Sequence, residues 1–215
     1  MNTIAVIDYG MGNLRSVAKA LEFVAPDAQV VVTHQAEKIR AADRVLFPGV
    51  GALGDCMAEL ERLGLPDLLR EAAAAKPFMG ICLGMQALLD RSEESGGTSG
   101  LGVIAGEVVR FDTDLSKRSQ GEHLKIPHMG WNQVHQLGDH PLWHGIEQDS
   151  RFYFVHSYYV KPADPACRMG VTCYGDEFTS VISAGNVFAA QFHPEKSQQA
   201  GLVLLRNFVS WDGQQ

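Results

Sequence analysis

Two segments carry residue types that can do covalent chemistry: Gly80-Ile81-Cys82-Leu83-Gly84 and His193-Pro194-Glu195. The first is a cysteine version of Gly-x-Ser-x-Gly, the sharp strand-to-helix turn that lifts a nucleophile above a sheet. Flanking glycines relieve the crowding of such a turn, which holds its central residue in a strained conformation. At the start of a helix, unpaired N–H groups and the helix dipole favour thiolate over thiol. The backbone N–H of Leu83 then points to where a tetrahedral oxyanion would form. Taken alone, the segment fits a buried packing cysteine about as well. A thiolate attacking an amide also needs an acid for the departing nitrogen, and His193 supplies one. His193 follows a run at 187–192 that reads as a strand, so period-two alternation predicts 193 and 195 on one side. Glu195 would then fix the imidazole tautomer while the other ring nitrogen faces Cys82.

Pro48-Gly49-Val50-Gly51 ends another apolar run. The two glycines leave the Val50 peptide free to turn, so its N–H is a second oxyanion donor in one reading and part of a plain strand-to-helix turn in the other. Further clusters carry less. Gly10-Met11-Gly12 opens a glycine pattern whose third position is Arg15, and the second strand ends at Thr33-His34 without a ribose-binding carboxylate, which argues against a dinucleotide site. His140 and His144 have helical ligand spacing, but Pro141 intervenes and no third ligand is near, so no metal is expected. Cys56, Cys167 and Cys173 lack the elbow context and are expected to be packing residues.

The elements that must position these groups alternate in the first half. Short apolar runs at 4–7, 30–32, 44–47 and 76–81 read as strands. Between them, Asn13 is an N-cap for a helix bearing Leu14, Val17, Ala18, Leu21 and Val24 on one face. Other helices run through Met57, Leu60 and Leu63, through Leu68 and Leu69, and over 85–90 after the cysteine. This βαβα order predicts an α/β fold with a mostly parallel central sheet and helices on both faces. Active sites in such sheets lie beyond the carboxyl ends of the strands, which puts the loops after Ile7, Phe47 and Ile81 on one rim. The second half is richer in strands: 151–158 is aromatic and β-prone, and 180–183 pairs with 187–192 in a hairpin around Ala184-Gly185-Asn186. Ser197 is placed as the cap of a last helix carrying Leu202, Leu205, Phe208 and Val209. Residues 92–100 and 112–122 read as polar loops.

No repeat or linker interrupts residues 1–215, and 215 residues suit a single domain. Composition is 46% hydrophobic and 20% charged, ordinary for a globular protein. A formal net charge of −7 disfavours nucleic acid or an anionic membrane as partner. With no signal-peptide pattern, no membrane-length apolar run and no Cys-x-x-Cys, a cytoplasmic location is expected.

Together these segments resemble the class I, triad-type glutamine amidotransferases, and most closely the branch that serves as glutaminase subunit of imidazole glycerol phosphate synthase in histidine biosynthesis. The similarity covers nearly the whole chain. Besides the elbow through Met85-Gln86 and the Gln191-Phe192-His193-Pro194-Glu195-Lys196-Ser197 segment, it rests on Asp8-Tyr9-Gly10-Met11-Gly12-Asn13-Leu14, Pro48-Gly49-Val50-Gly51-Ala52, Pro127-His128-Met129-Gly130-Trp131-Asn132 and His156-Ser157-Tyr158. The resemblance implies a flavodoxin-like fold and a Cys82, His193 and Glu195 triad, with oxyanion donors at Val50 and Leu83. It implies glutamine-binding residues Gly51, Gln86, Ser157 and Tyr158, and no cofactor. It further implies a heterodimer with a cyclase subunit, a (β/α)8 barrel, met through Asn13, Trp131 and Lys196. The polar 112–122 stretch is longer than the family pattern. A glutaminase serving vitamin B6 synthesis, a free-standing γ-glutamyl hydrolase and an inactive docking module are the rival readings. Met129-Gly130-Trp131 argues against the first two and the intact triad against the third.

Overall fold

Three of the apolar runs of the first half, at 4–7, 44–47 and 76–81, become strands buried on both faces, while the run at 30–32 becomes a partly exposed edge strand. The computed structural model describes residues 2–112 and 124–214, so the expected polar loop at 112–122 lies, beyond Asp112, outside the described residues. Strands β1 (Thr3–Ile7), β2 (Gln29–Thr33), β3 (Arg44–Gly49) and β4 (Phe78–Cys82) alternate with helices α1 (Leu14–Val24), α2 (Ala36–Ala41), α3 (Leu53–Arg62), α4 (Pro66–Ala75) and α5 (Leu83–Gln86). The apolar pattern does not announce α2, in which Ile39 is the buried residue. The second half adds β5 (Arg91–Ser92), β6 (Thr98–Ser99), β7 (Gly106–Arg110), β8 (His128–Gln133), β9 (His135–Gln136), β10 (Arg151–His156) and β11 (Tyr158–Pro162). After them come β12 (Arg168–Tyr174), β13 (Asp176–Ala184), β14 (Val187–Ala190) and α6 (Gln198–Ser210).

Among the described residues the main sheet runs β2-β1-β3-β4-β14-β13-β11-β7-β5-β6, with β12 on β13 and β9 on β12. Strands β2, β1, β3, β4 and β14 are mutually parallel, so their carboxyl ends share one rim. From β13 onward the pairing is mainly antiparallel, with β13–β14 forming the expected hairpin. Strands β8 and β10 form a separate antiparallel pair. Alternation along β1 sends Ala5 and Ile7 into a core with α2, α3 and α4, and Ile4 and Val6 into a core with α1 and α6.

Four local expectations need correction. The helix after Cys82 is one turn, not 85–90, because the chain returns at 100–104 and takes its carbonyls: Leu101 N–H donates to Ala87 O at 2.7 Å and Val103 N–H to Leu88 O at 2.9 Å. The aromatic run at 151–158 is broken at Ser157, with β10 pairing to β8 and β11 joining the main sheet. Asn13 and Ser197 stand at helix starts, yet neither side chain caps. The Ser197 hydroxyl instead donates to His193 O at 2.6 Å and accepts from Tyr153 N–H at 3.0 Å. Loop 92–100 contains the short β5–β6 pair, with a 3-10 turn at Glu94–Gly96.

The second core is aromatic, and Phe192 is its wedge. Phe192 is fully buried, stacks on Phe152 at 4.0 Å between ring centroids and meets Phe154 edge-on at 5.7 Å. It joins the end of β14 to β10 directly beside His193. Phe192→Ala is expected to lower unfolding stability by about 3–5 kcal/mol, the range for emptying a buried aromatic site. Urea unfolding measures it as a lower midpoint at unchanged slope; a loss below about 1 kcal/mol would show that the wedge is not a main support of this core.

Candidate active site

The elbow follows from what its neighbours lack. Cys82 has φ 53° and ψ −108°, a conformation that L side chains rarely adopt. The surrounding backbones pack so closely that a Cβ on Gly84 would run into the Phe47 carbonyl, and one on Gly49 would lie 2.6 Å from the Tyr9 hydroxyl. A Cβ on Gly80 would lie 3.0 Å from that of Ala189 on β14. Parallel pairing sets Gly49 opposite Cys82, so Val50 and Leu83 leave the two strands side by side.

Cys82, 7% exposed, opens into a cavity of about 270 Å³ lined by Val50, Gly51, Leu83, Gln86, Ser157, Tyr158 and His193 among others. The expected nucleophile, oxyanion and glutamine-binding positions thus meet at one place. His193 and Glu195 do come together, with Nδ1 to Oε1 at 2.9 Å and both side chains buried. The alternation argument for them fails in detail. Strand β14 ends at Ala190, and a 3-10 turn at Pro194–Lys196 returns Glu195 beneath the ring. His193 N–H donates to Tyr153 O at 2.9 Å, which fixes the ring's height above β10.

Burial opposes charge on His193, but the Cys82 sulfur and the Glu195 carboxylate outweigh it and hold the imidazolium well above the ordinary imidazole range. His193 Nε2 makes no hydrogen bond in the resting site. A protonated ring with one N–H held by Glu195 and the other on the side of Cys82 is suited to protonate a departing amine.

The remaining expectations sort by position. Gln86 lines the cavity, but its Nε2 is committed to Tyr158 O and Gln191 Oε1, each at 3.0 Å. Trp131 and Lys196 are exposed and share Tyr153: the Trp131 ring lies 6.1 Å from that ring and Lys196 Nζ 5.9 Å from its centre. Asn13 is half-buried at the head of α1, a helix that touches the Pro194–Lys196 turn. His140 is buried and committed, accepting from Leu142 N–H at 3.1 Å and meeting Ser183 Oγ at 3.2 Å. Cys56 packs in the core as expected and Cys167 is half-buried against it, but Cys173 is exposed on the outward face of β12. Among the described residues no three His, Cys, Asp or Glu side chains group as metal ligands.

Sequence reasoning missed Glu94, Pro127, Val155, His156 and Gln191 as neighbours of Cys82 and its cavity. Gln191 left one signal: it is the polar residue inside the otherwise apolar run 187–192. The Val155 contact is made by a carbonyl, which no residue type announces.

The family model for glutamine amidotransferase class-I matches residues 5–211. The chain is 59% identical over 211 residues to imidazole glycerol phosphate synthase subunit HisH of Nitrosospira multiformis, covering 98% of this chain and 99% of that one. It is 58% identical to the HisH subunit of Pseudomonas savastanoi pv. phaseolicola, covering 99% of each. A solved structure described as a glutamine amidotransferase superposes with a TM-score of 0.70 at 18% identity, over 96% of this chain and 97% of that one, which speaks for the fold.

The His193 environment can be read directly. In an NMR titration His193 should stay protonated through neutral pH, and Glu195→Gln should bring its midpoint down. Because the folded value lies above the unfolded one, the stabilisation is complete below about pH 6.5 and is lost as pH rises through the elevated folded value. Wild type should therefore exceed Glu195→Gln in stability most at pH 6 and least in strong alkali. A His193 that is neutral at pH 7 in both proteins would contradict this.

Proposed function

Because this chain belongs to the class-I glutamine amidotransferases, and among them to the HisH subunits of imidazole glycerol phosphate synthase, we propose that Cys82, His193 and Glu195 hydrolyse glutamine to glutamate and ammonia for histidine biosynthesis. The observation that carries the residue assignment is the strained Cys82 in a cavity wall shared with a His193 whose buried Nδ1 bonds Glu195. The Cys82 sulfur attacks the side-chain amide carbon of glutamine, and the carbonyl electron pair moves to oxygen. Backbone N–H groups of Val50 and Leu83 receive that oxyanion. As the tetrahedral adduct collapses, His193 gives its proton to the departing nitrogen, which leaves as ammonia, and a γ-glutamyl thioester remains. The now neutral His193 takes a proton from water, the hydroxide attacks the thioester, and the C–S bond breaks to release glutamate. Glu195 holds the ring throughout and offsets its charge.

The relatives are named as subunits, which implies a second chain. That partner is the cyclase subunit, a (β/α)8 barrel, which receives ammonia in the cytoplasm and makes imidazole glycerol phosphate and aminoimidazole carboxamide ribotide. Its docking face is the rim around Trp131, Lys196 and the head of α1 near Asn13. There Met129 is 62% exposed and Trp131 38%, an apolar patch typical of an interface centre. Among the described residues no helix is long and apolar enough to cross a membrane.

Cys82→Ala is expected to abolish glutamine-dependent cyclisation while the complex still accepts free ammonia at raised pH; loss of both with assembly intact would refute this division of labour. Glutamate formation should rise from the isolated chain to the complex, and again with the cyclase nucleotide bound. Val50 is 36% exposed at the cavity mouth, next to an open rim, and a misdirected oxyanion donor costs about 10²- to 10³-fold in turnover. Steady-state glutamate assays of the three samples decide the point, and equal rates would rule the coupling out.

A further inference from the structure

Four polar side chains that the triad does not use, Asn132, His128, His156 and Gln86, form with Gln191 a hydrogen-bonded line between β8 and the nucleophile. Gln191 is fully buried, and its Nε2 lies 3.7 Å from Cys82 Sγ. The carbonyl of Val155 lies 3.9 Å from the same sulfur. These neighbours act oppositely: a carbonyl can only accept the S–H proton and so favours thiol, whereas an amide N–H favours thiolate.

We infer that Gln191 is a further catalytic residue, donating a hydrogen bond to the Cys82 sulfur, and that a polar chain through Asn132, His128, His156, the Tyr158 carbonyl and Gln86 holds it in that orientation. The inference rests on Cys82 being the nucleophile. Proton directions along the chain follow from groups with no choice. Tyr158 O can only accept, and it takes His156 Nδ1 at 2.8 Å and Gln86 Nε2 at 3.0 Å. Gln86 therefore turns its NH₂ inward, and its second hydrogen meets Gln191 Oε1 at 3.0 Å. With its oxygen so occupied, Gln191 presents N–H to sulfur.

On the other side, a neutral His156 protonated at Nδ1 has Nε2 as acceptor. His128 Nδ1, 2.9 Å away, must donate to it. His128 Nε2 then accepts from Asn132 Nδ2 at 3.3 Å. Asn132 is itself fixed by the backbone, since Nδ2 also donates to Cys173 O at 2.9 Å and Oδ1 accepts from Gln133 N–H at 2.8 Å. Burial lowers His128 to about 4 and His156 to about 3, so both rings are neutral near pH 7. Every donor along the line has one acceptor arrangement available, and no flip of a single amide satisfies it. The chain begins on the strand whose outer face carries Met129 and Trp131 and ends at the reacting sulfur. Deacylation breaks the Cys82 C–S bond with the electron pair going to sulfur, where the Gln191 N–H already points.

The test uses Gln191→Met, which keeps the shape and lacks the donor, and Gln191→Glu, which can still accept from Gln86 but turns an oxygen to sulfur. Alkylation of Cys82 by iodoacetamide in the full chain is followed by mass mapping of its peptide, with Cys173 as internal control. At pH 7 the Met variant should react about tenfold more slowly, the scale of one lost hydrogen bond to a charged group, and the Glu variant more slowly still. Cys173 should not change. Wild-type rates in both folded variants would overturn the role of Gln191. Should neither variant fold, ¹⁵N spectra of the wild-type chain decide, assigned with His128→Gln and His156→Gln: both rings should be neutral and Nδ1-protonated from pH 6 to 8. An Nε2-protonated or charged His156 would overturn the chain. Glutamine turnover that survives Cys82→Ala would instead sink the nucleophile assignment on which this rests.

Discussion

The rest of the structure depends on one contact between backbones, where the turn after Cys82 lies against the end of β3. Gly84 touches the Phe47 carbonyl so closely that no side chain fits between them. That approach allows β4 to end in a residue at φ 53° while Cys82 still pairs with Gly49. A strained residue persists only when its surroundings over-determine it. Here the surroundings are β3 on one side, β14 on the other, and the 100–104 segment that stops α5 after a single turn. The parallel centre of the sheet serves as the rigid mount for one cysteine.

The second support is aromatic and polar at once. Phe152, Phe154 and Phe192 pack the space between β10 and the end of β14. The backbones they hold carry Tyr153 O and the Ser197 hydroxyl to His193. Apolar packing sets the distance between the two segments, and hydrogen bonds set the angle of the ring. Neither suffices alone, because packing is non-directional and a hydrogen bond does not by itself bring two strands together.

The pair β8–β10 stands apart from the main sheet and has two unlike faces. Outward lie Met129 and Trp131, apolar and exposed; inward lie His128 and His156, buried and neutral. A force on the outer face therefore reaches polar groups whose hydrogen-bond directions are fixed. That arrangement would give the proposed partner, docked on this rim, a short mechanical route to the cavity.

The sequence by itself determined the α/β alternation, the common rim and the β13–β14 hairpin, and it singled out Cys82, His193 and Glu195 as the candidate reacting set. These were legible because each depends on local chemistry: glycines around a turn, the length of an apolar run, or a histidine and a glutamate two positions apart. Local chemistry also misled, since Asn13 and Ser197 have capping side chains that do not cap, and Ser197 is drawn instead to Tyr153 and His193. Tertiary structure alone decided the length of α5, the departure of β10 from the main sheet, the 3-10 turn that brings Glu195 under His193, and the approach of Gln191 and the Val155 carbonyl to sulfur. The physical reason is that, apart from the local 3-10 turn, each is a contact between segments separated along the chain, by 73 residues for Val155 and Cys82 and by 109 for Gln191 and Cys82. A backbone carbonyl or a buried amide takes its meaning from what folding sets beside it, and residue type records nothing of that neighbour.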